Sequence, residues 1–345
     1  MPLKFKEPIL IVATYRIVTP MFIGDANQKA SGISPASVKG ALRFWWRALN
    51  WSRIRAKEQS DTVALQHLHS EESELFGSSA DKGVAARFTL RVNAEAINVN
   101  HGIDWPNGLN DPSGYLGLGL WESGSVAKGN LQPHREYIKE DQLFEVELLA
   151  PAALNPAAIQ QLRDALTAWG LFGGLGSRAR RGFGSVAIES LNDEHFAFTS
   201  VGDYQAAVRH VLANYTINPV QQPPFTAFSQ ESQFSISGDL ATSARLAHRS
   251  LGGVFKSYRG SKDSPVRGEK KRVFGIPFAG GATDLEKNKA RRASPLLFHI
   301  HPIGPKFTGA VLFLPAEFHY HHSLNSVDYS LASNFLKQLP AAVFA

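Results

Sequence analysis

Six glycines and three arginines, with no acidic residue between them, fall within Gly170-Leu-Phe-Gly-Gly-Leu-Gly-Ser-Arg-Ala-Arg-Arg-Gly-Phe-Gly-Ser185. So much glycine admits positive φ and close backbone approach, which regular helix and strand do not use. The stretch therefore has to be a shaped loop between ordered elements. A flexible linker would not carry the buried-type residues Phe172, Leu175 and Phe183. Arg178, Arg180 and Arg181 supply forked donors that match phosphate oxygens. A polyanion-binding loop is the expectation.

The flanks set its place in a fold. Ile9–Val18 is rich in β-branched residues and reads as a buried first strand. Ser34-Pro35 opens a helix running to about Lys57, and Thr62–Phe76 is a second helical patch. Val84–Val92 alternates as a strand. Residues 93–140 form a long irregular insertion holding Trp105–Gly108 and Tyr115–Gly119. Leu143–Leu149 is again a strand and Asn155–Gly170 an amphipathic helix. After the loop, Phe183–Glu189 is the next strand. The order β-α-β-β-α-β predicts an α+β, ferredoxin-like (RRM-like) domain over residues 1–200, an antiparallel sheet with helices on one face. Its open face is a common RNA platform.

The first helix carries Lys39, Arg43 and Arg47 at i, i+4 and i+8, with no carboxylate in sequence until Glu58. Like charges at this spacing repel, so the ridge is either a solvated face or faces a polyanion. Val38, Leu42, Trp46 and Leu49 form its core face. Phe44, Trp45, Trp46 and Trp51 are expected in the core rather than as base-stacking platforms.

After Asn192 the pattern changes. Asp203–Asn214 is helical, Pro219–Pro224 is a linker, and a second domain is expected over 225–345. Ser232–Ser237 is a strand and Leu240–Phe255 a helix. Leu296–Ile300 and Lys306–Leu314 are paired strands, and Ser330–Leu339 is a short helix. This order repeats the first domain without an obvious last strand or second Gly/Arg loop, a degenerate ferredoxin-like copy. Between Arg245 and Arg272 nine Lys/Arg face two acids, a local +7 against +6 for the whole chain. Such concentration suits nucleic acid, and Gly275–Gly281 and Lys287–Arg292 extend the basic region of 245–292.

Several chemistries are disfavoured. The chain has no cysteine, which removes disulfides and Cys-ligated metals and fits a cytoplasmic location. The N-terminus lacks a signal-peptide run, and no long apolar run would span a membrane. Gly174–Ala179 matches the dinucleotide fingerprint but lies after a helix and before a strand, the inverse of that motif. Arg181–Val186 overlaps an RNA-recognition signature on the wrong strand. His299 and His301, and His319, His321 and His322, lack metal-ligand spacing. Asp25 reads as a turn residue rather than an acid for RNA cleavage.

Ile33–Arg47, Gly174–Gly184 and Arg291–Leu297 together resemble the RAMP superfamily of CRISPR-associated proteins, most closely the family of first subunits of type III-B (Cmr) effector complexes. The resemblance implies a non-enzymatic antiviral subunit with no cofactor or metal. It would bind guide crRNA and target RNA toward the 3′ end of the guide, alongside other Cmr subunits. It would place RNA contacts on Lys39, Arg43 and Arg47, on Gly174, Gly176, Arg178, Arg180, Arg181, Gly182 and Phe183 of the loop, and on the basic region at Lys256, Arg259, Arg291 and Arg292. The alternative is a RAMP endoribonuclease that cuts repeat RNA by metal-independent acid–base chemistry. It calls for a histidine poised by the loop or first helix, and none is adjacent in sequence.

Overall fold

The computed structural model describes residues 7–25, 27, 29–79, 83–94, 97–100, 105–106, 110–120, 136–213, 215, 222–276, 291–318 and 327–344. His319, His321, His322, residues 277–290, half of the linker and parts of the insertion lie outside these.

The first sheet forms from β1 (Ile9–Ile17), β2 (Thr89–Ala94), β5 (Leu143–Ala150), β6 (Val186–Leu191) and the short β7 (Glu194–His195), in the order β2-β5-β1-β6-β7. Its pairings are antiparallel, with Ile11 opposite Leu148 and Tyr15 opposite Phe144. Two-residue strands β3 (Val99–Asn100) and β4 (Tyr137–Ile138) pair within the insertion. One face of the sheet carries α1 (Pro35–Arg55) and α4 (Pro156–Phe172), which also pack on each other. Both helices start on a capped Pro: the Ser34 side chain accepts from the Ala36 amide and that of Asn155 from the Ala157 amide. α2 (Asp61–Phe76) packs against α1.

α5 (Val201–Leu212) leads to the second sheet, made of β8 (Gln233–Ile236), β9 (Leu296–Ile303), β10 (Lys306–Phe313) and β11 (Ala341–Phe344) in the order β11-β8-β10-β9. α6 (Ala244–Gly260) and α7 (Ser330–Leu336) pack on it. Sequence missed β11, because four residues, two of them alanine, have little strand signal until β8 offers an edge. The second sheet therefore has a last strand after all. No second Gly/Arg loop accompanies it.

Alternation along β10 explains the stacking. Ala310 and Leu312 join the core shared with α1 and α4, whereas Val311 and Phe313 join the core under α6 and α7. The second sheet is thus covered on both faces, and α4 lies between two sheets. Phe172 on α4 touches Trp45, Phe228 and Phe234. Burying one such ring contributes roughly 2–3 kcal/mol. One core cluster, with residues such as Trp45, Phe172, Phe234 and Leu312, runs across the expected boundary near 225. As expected, Trp45, Trp46 and Trp51 are buried core residues, and Phe44 is half-buried.

The uncovered face of the first sheet does not suit RNA. Its middle rows carry Thr14, Arg16, Arg91, Asn93, Glu145, Glu147 and Glu189, with no aromatic ring for a base to stack on. A cleft of about 880 Å³ at one end of it is lined by Glu145 and by no cation.

Candidate nucleic-acid interface

The Gly/Arg loop begins later than expected, because Gly170 and Phe172 still belong to α4. Its glycines serve the protein's own backbone. Gly176 has φ +89°, and an added Cβ would stand 2.6 Å from the Phe22 carbonyl oxygen. Gly184, at φ +58°, would place a Cβ 2.1 Å from the Leu175 carbonyl oxygen. The loop is sewn to the segment after β1: the Ser177 amide donates to Phe22 at 2.7 Å, the Gly184 amide to Pro20 at 2.9 Å, and Thr19 Oγ1 to the Gly182 carbonyl at 2.7 Å. Gly182 and Phe183 are buried, and Gly174 sits in a bridge with Ser185.

The arginines divide by reach. Arg181 forms a parallel bridge with Phe298 on the edge of β9, and the Phe298 amide donates to the Arg180 carbonyl at 3.1 Å. The loop therefore covers a strand edge. The Arg180 guanidinium lies over Phe44 and donates to the Ser294 carbonyl at 3.0 Å. That of Arg181 lies between the rings of Phe255 and Phe298 and donates through Nη2 to the Phe274 carbonyl at 3.2 Å. Arg178, at φ +61°, is exposed at the tip.

These side chains open onto a cleft of about 840 Å³. Its walls are the loop, the C-terminal half of α6, a 3-10 helix (Gly268–Phe274), residues 291–294, and α3 (Pro112–Leu116) of the insertion. Among the described residues, Arg178, Arg180, Arg181, Arg259, Lys271, Arg291 and Arg292 line it, and no carboxylate does. Arg181 Nη1 and Arg259 Nε are buried with no hydrogen-bond partner among the described residues. Burial, then Arg259, Arg178 and Arg180, lowers the Arg181 pKa to about 9; burial, then Arg292, lowers that of Arg180 to about 10. Both stay charged at neutral pH, so the cleft concentrates positive charge that an anion would relieve. Tyr115, Leu118 and Lys271 were not singled out as contacts from sequence; Lys271 lay within the basic region, whereas only the fold brings the insertion here.

The α1 ridge goes elsewhere. Its carboxylate comes from α2: Glu72, 5% exposed, accepts from Arg43 Nε at 2.7 Å and lies 3.5 Å from Arg47 Nη1. Arg43 also donates to the Gly77 carbonyl at 2.9 Å. The absence of a nearby acid in sequence was misleading, because α2 folds back on α1. Arg43 and Arg47 are helix-to-helix ties, and Lys39, its pKa lowered by burial and by Arg43, sits over Phe88. Lys256 Nζ donates to the Asn110 carbonyl at 3.1 Å, outside the cleft lining.

Histidines do reach the loop, contrary to the sequence expectation. His248 Nε2 is 2.9 Å from the Arg181 carbonyl and His299 Nδ1 is 3.0 Å from the Gly173 carbonyl. Both are buried, and His301 Nδ1 lies 3.1 Å from His299 Nε2. No metal-binding cluster occurs among the described residues. Asp25 is a turn residue, as expected, its Oδ1 accepting from the Asn27 and Lys29 amides. No helix among them is long and apolar enough to cross a membrane.

The arrangement has relatives. Cmr1-1, a Cmr subunit of the CRISPR system of Pyrococcus furiosus, is 25% identical over 320 residues, which are 87% of this chain and 86% of the relative. The crystal structure of apo Cmr1 from P. furiosus matches with TM-score 0.65 at 22% identity, over 98% of this chain and 99% of that one. A chain in the cryo-EM structure of a type III-B Cmr-beta complex bound to cognate target RNA matches with TM-score 0.57 at 11% identity, over 97% and 99%. A family model described as the RAMP superfamily matches residues 14–187, from β1 through the Gly/Arg loop into β6, and the chain belongs to that superfamily.

Proposed function

We propose that this chain is an RNA-binding, non-catalytic subunit of a type III-B (Cmr) effector complex in the cytoplasm, acting in antiviral defence. It contacts guide crRNA and/or target RNA toward the 3′ end of the guide. Its two ferredoxin-like domains, 1–200 and 225–345, are supported by the two sheet orders: each contains the run fourth, first, third, second strand in chain order, with the short β7 added beyond the fourth in the first sheet. One observation carries the assignment: among the described residues the cleft between the halves gathers seven cations and no carboxylate, with guanidinium nitrogens of Arg181 and Arg259 buried without a hydrogen-bond partner there. Charge of one sign on a curved wall tracks a phosphate backbone, and Tyr115 and Leu118 offer apolar contact for a base or ribose. Seven of the fourteen residues singled out from sequence line this cleft: Gly176, Arg178, Arg180, Arg181, Arg259, Arg291 and Arg292. Acid–base cleavage would need a reachable proton carrier, and His248, the ring nearest the loop arginines, is enclosed with both nitrogens bonded.

The test replaces the two cations of the cleft whose side chains are exposed. R178A/R291A should bind guide RNA more weakly, with the log–log salt slope flatter by about 0.7 per lost phosphate contact. A folded double variant with the parental slope would remove the cleft from the interface. Metal-independent cleavage of repeat RNA by the isolated chain would replace the binding assignment with the nuclease.

A further inference from the structure

The cleft is assembled from segments far apart in sequence, and one enclosed side chain touches three of its walls. His248 lies on α6 on the same helical stripe as Phe255 and Arg259, seven and eleven residues on, both of which line the cleft. Its Nε2 faces the Arg181 carbonyl at 2.9 Å, and its Nδ1 faces Ser113 Oγ at 3.0 Å, on α3. A carbonyl only accepts, so Nε2 carries the proton and Nδ1 accepts from the Ser113 hydroxyl. The ring is 0% exposed, its faces closed by Phe183 and Trp105.

We propose that His248 is the positioning residue of the cleft, a neutral imidazole that locks the Gly/Arg loop, α6 and the inserted helix α3 into one register so that arginines from separate elements converge on the same phosphates. The proposal rests on the RNA-binding assignment and deepens it. It gives the insertion a role as the third wall. α3 comes close because Gly252 has no side chain: a Cβ there would stand 2.8 Å from the Pro112 carbonyl oxygen. The two helices are pinned again where Arg259 Nη1 donates to the Tyr115 hydroxyl at 3.0 Å. The second pin, Tyr115, together with the adjacent Leu116, is the part of α3 that lines the cleft. On the loop side, fixing the Arg181 carbonyl fixes the peptide between Arg181 and Gly182 and with it the root of the Arg181 side chain. Loss of the imidazole would leave all three walls folded and out of alignment, which costs phosphate contacts rather than charge.

The experiment measures guide-RNA affinity against salt, beside thermal unfolding, for H248A, H248Q, S113A and L251A. Leu251 is a buried neighbour on α6 that packs over Gly309, outside the cleft, and serves as the control for destabilisation alone. H248A should lose about tenfold in affinity, with a salt slope flatter by roughly one phosphate contact. H248Q, which returns an N–H toward the Arg181 carbonyl, should recover most of both. S113A, cutting only the α3 tie, should fall between them, and it carries the test if H248A does not fold. L251A should unfold earlier and keep the parental slope. A parental slope in both H248A and S113A, or the same flattening in L251A, would overturn the positioning role. If R178A/R291A also leaves the slope unchanged, the binding assignment itself has failed rather than this refinement of it.

Discussion

Lowering the pH from about 7.5 to 5 leaves most of this protein's charges alone and strains three enclosed imidazoles. His248, His299 and His301 are at most 1% exposed. Burial lowers the His248 pKa to about 4 and that of His299 to about 3, and burial together with His299 pushes His301 well below the ordinary value. In the unfolded chain each titrates near 6.5. Above that pH all three are neutral in both states and no penalty arises. Below it the unfolded chain takes up protons that the folded chain refuses, so stability falls as pH falls, until each folded ring protonates in turn. The slope is about 1.4 kcal/mol per pH unit for each group. From about pH 6.5 to 5 that is roughly 2 kcal/mol per histidine and 6 for the three, against a typical total of about 5–15 kcal/mol. Urea unfolding followed by tryptophan fluorescence across this range measures it. H301F keeps a ring stacked on Tyr204, 3.9 Å away, and removes one titrating site along with its unpaired Nε2. It also takes the Nδ1–H donor from His299, a loss that is independent of pH over this window. Its stability should therefore depend on pH about one third less steeply. A midpoint that does not move between pH 7.5 and 5, or an unchanged slope in H301F, would refute the account.

Two further perturbations follow from the geometry. Gly184→Ala puts a Cβ against the Leu175 carbonyl at a left-handed φ and should destabilise by about 3 kcal/mol or more, whereas exposed Gly40 in mid-α1 has open space around it, so Gly40→Ala should stabilise by about 0.5–1 kcal/mol; denaturant midpoints of the pair check both signs. Glu72→Gln leaves Arg43 and Arg47 facing each other without their shared carboxylate and should cost roughly 2 kcal/mol, read as a lower melting temperature while RNA affinity stays near parental.

Periodicity and caps made most elements legible. Ser34-Pro35 and Asn155-Pro156 start α1 and α4 where expected, and apolar spacing placed Val38, Leu42, Trp46 and Leu49 in the core. The Gly/Arg composition announced a shaped loop without showing what its glycines approach, because composition shows that a backbone must come close to something and not to what. Here it is Phe22 and Leu175 of the same chain. The α1 ridge failed for a related reason. Ionic partners are chosen in three dimensions, and Glu72 reaches Arg43 only after α2 turns back. Tyr115 stayed hidden because irregular sequence has no period from which to read a facing direction.

The edge of β9 covered by the loop has a consequence for synthesis. The Arg180 side chain bonds to Ser294, 114 residues further on, so the loop completes its contacts only after most of the chain has been made. Once residue 195 has been made the first sheet has all its strands, yet Phe172 and Tyr204 still wait for Phe234 to cover them. A nascent chain stopped before residue 225 would display an apolar helical layer and an unanchored cationic loop, the surface that draws chaperones or aggregates. The two halves repeat one topology, but they mature as a single unit, late and together.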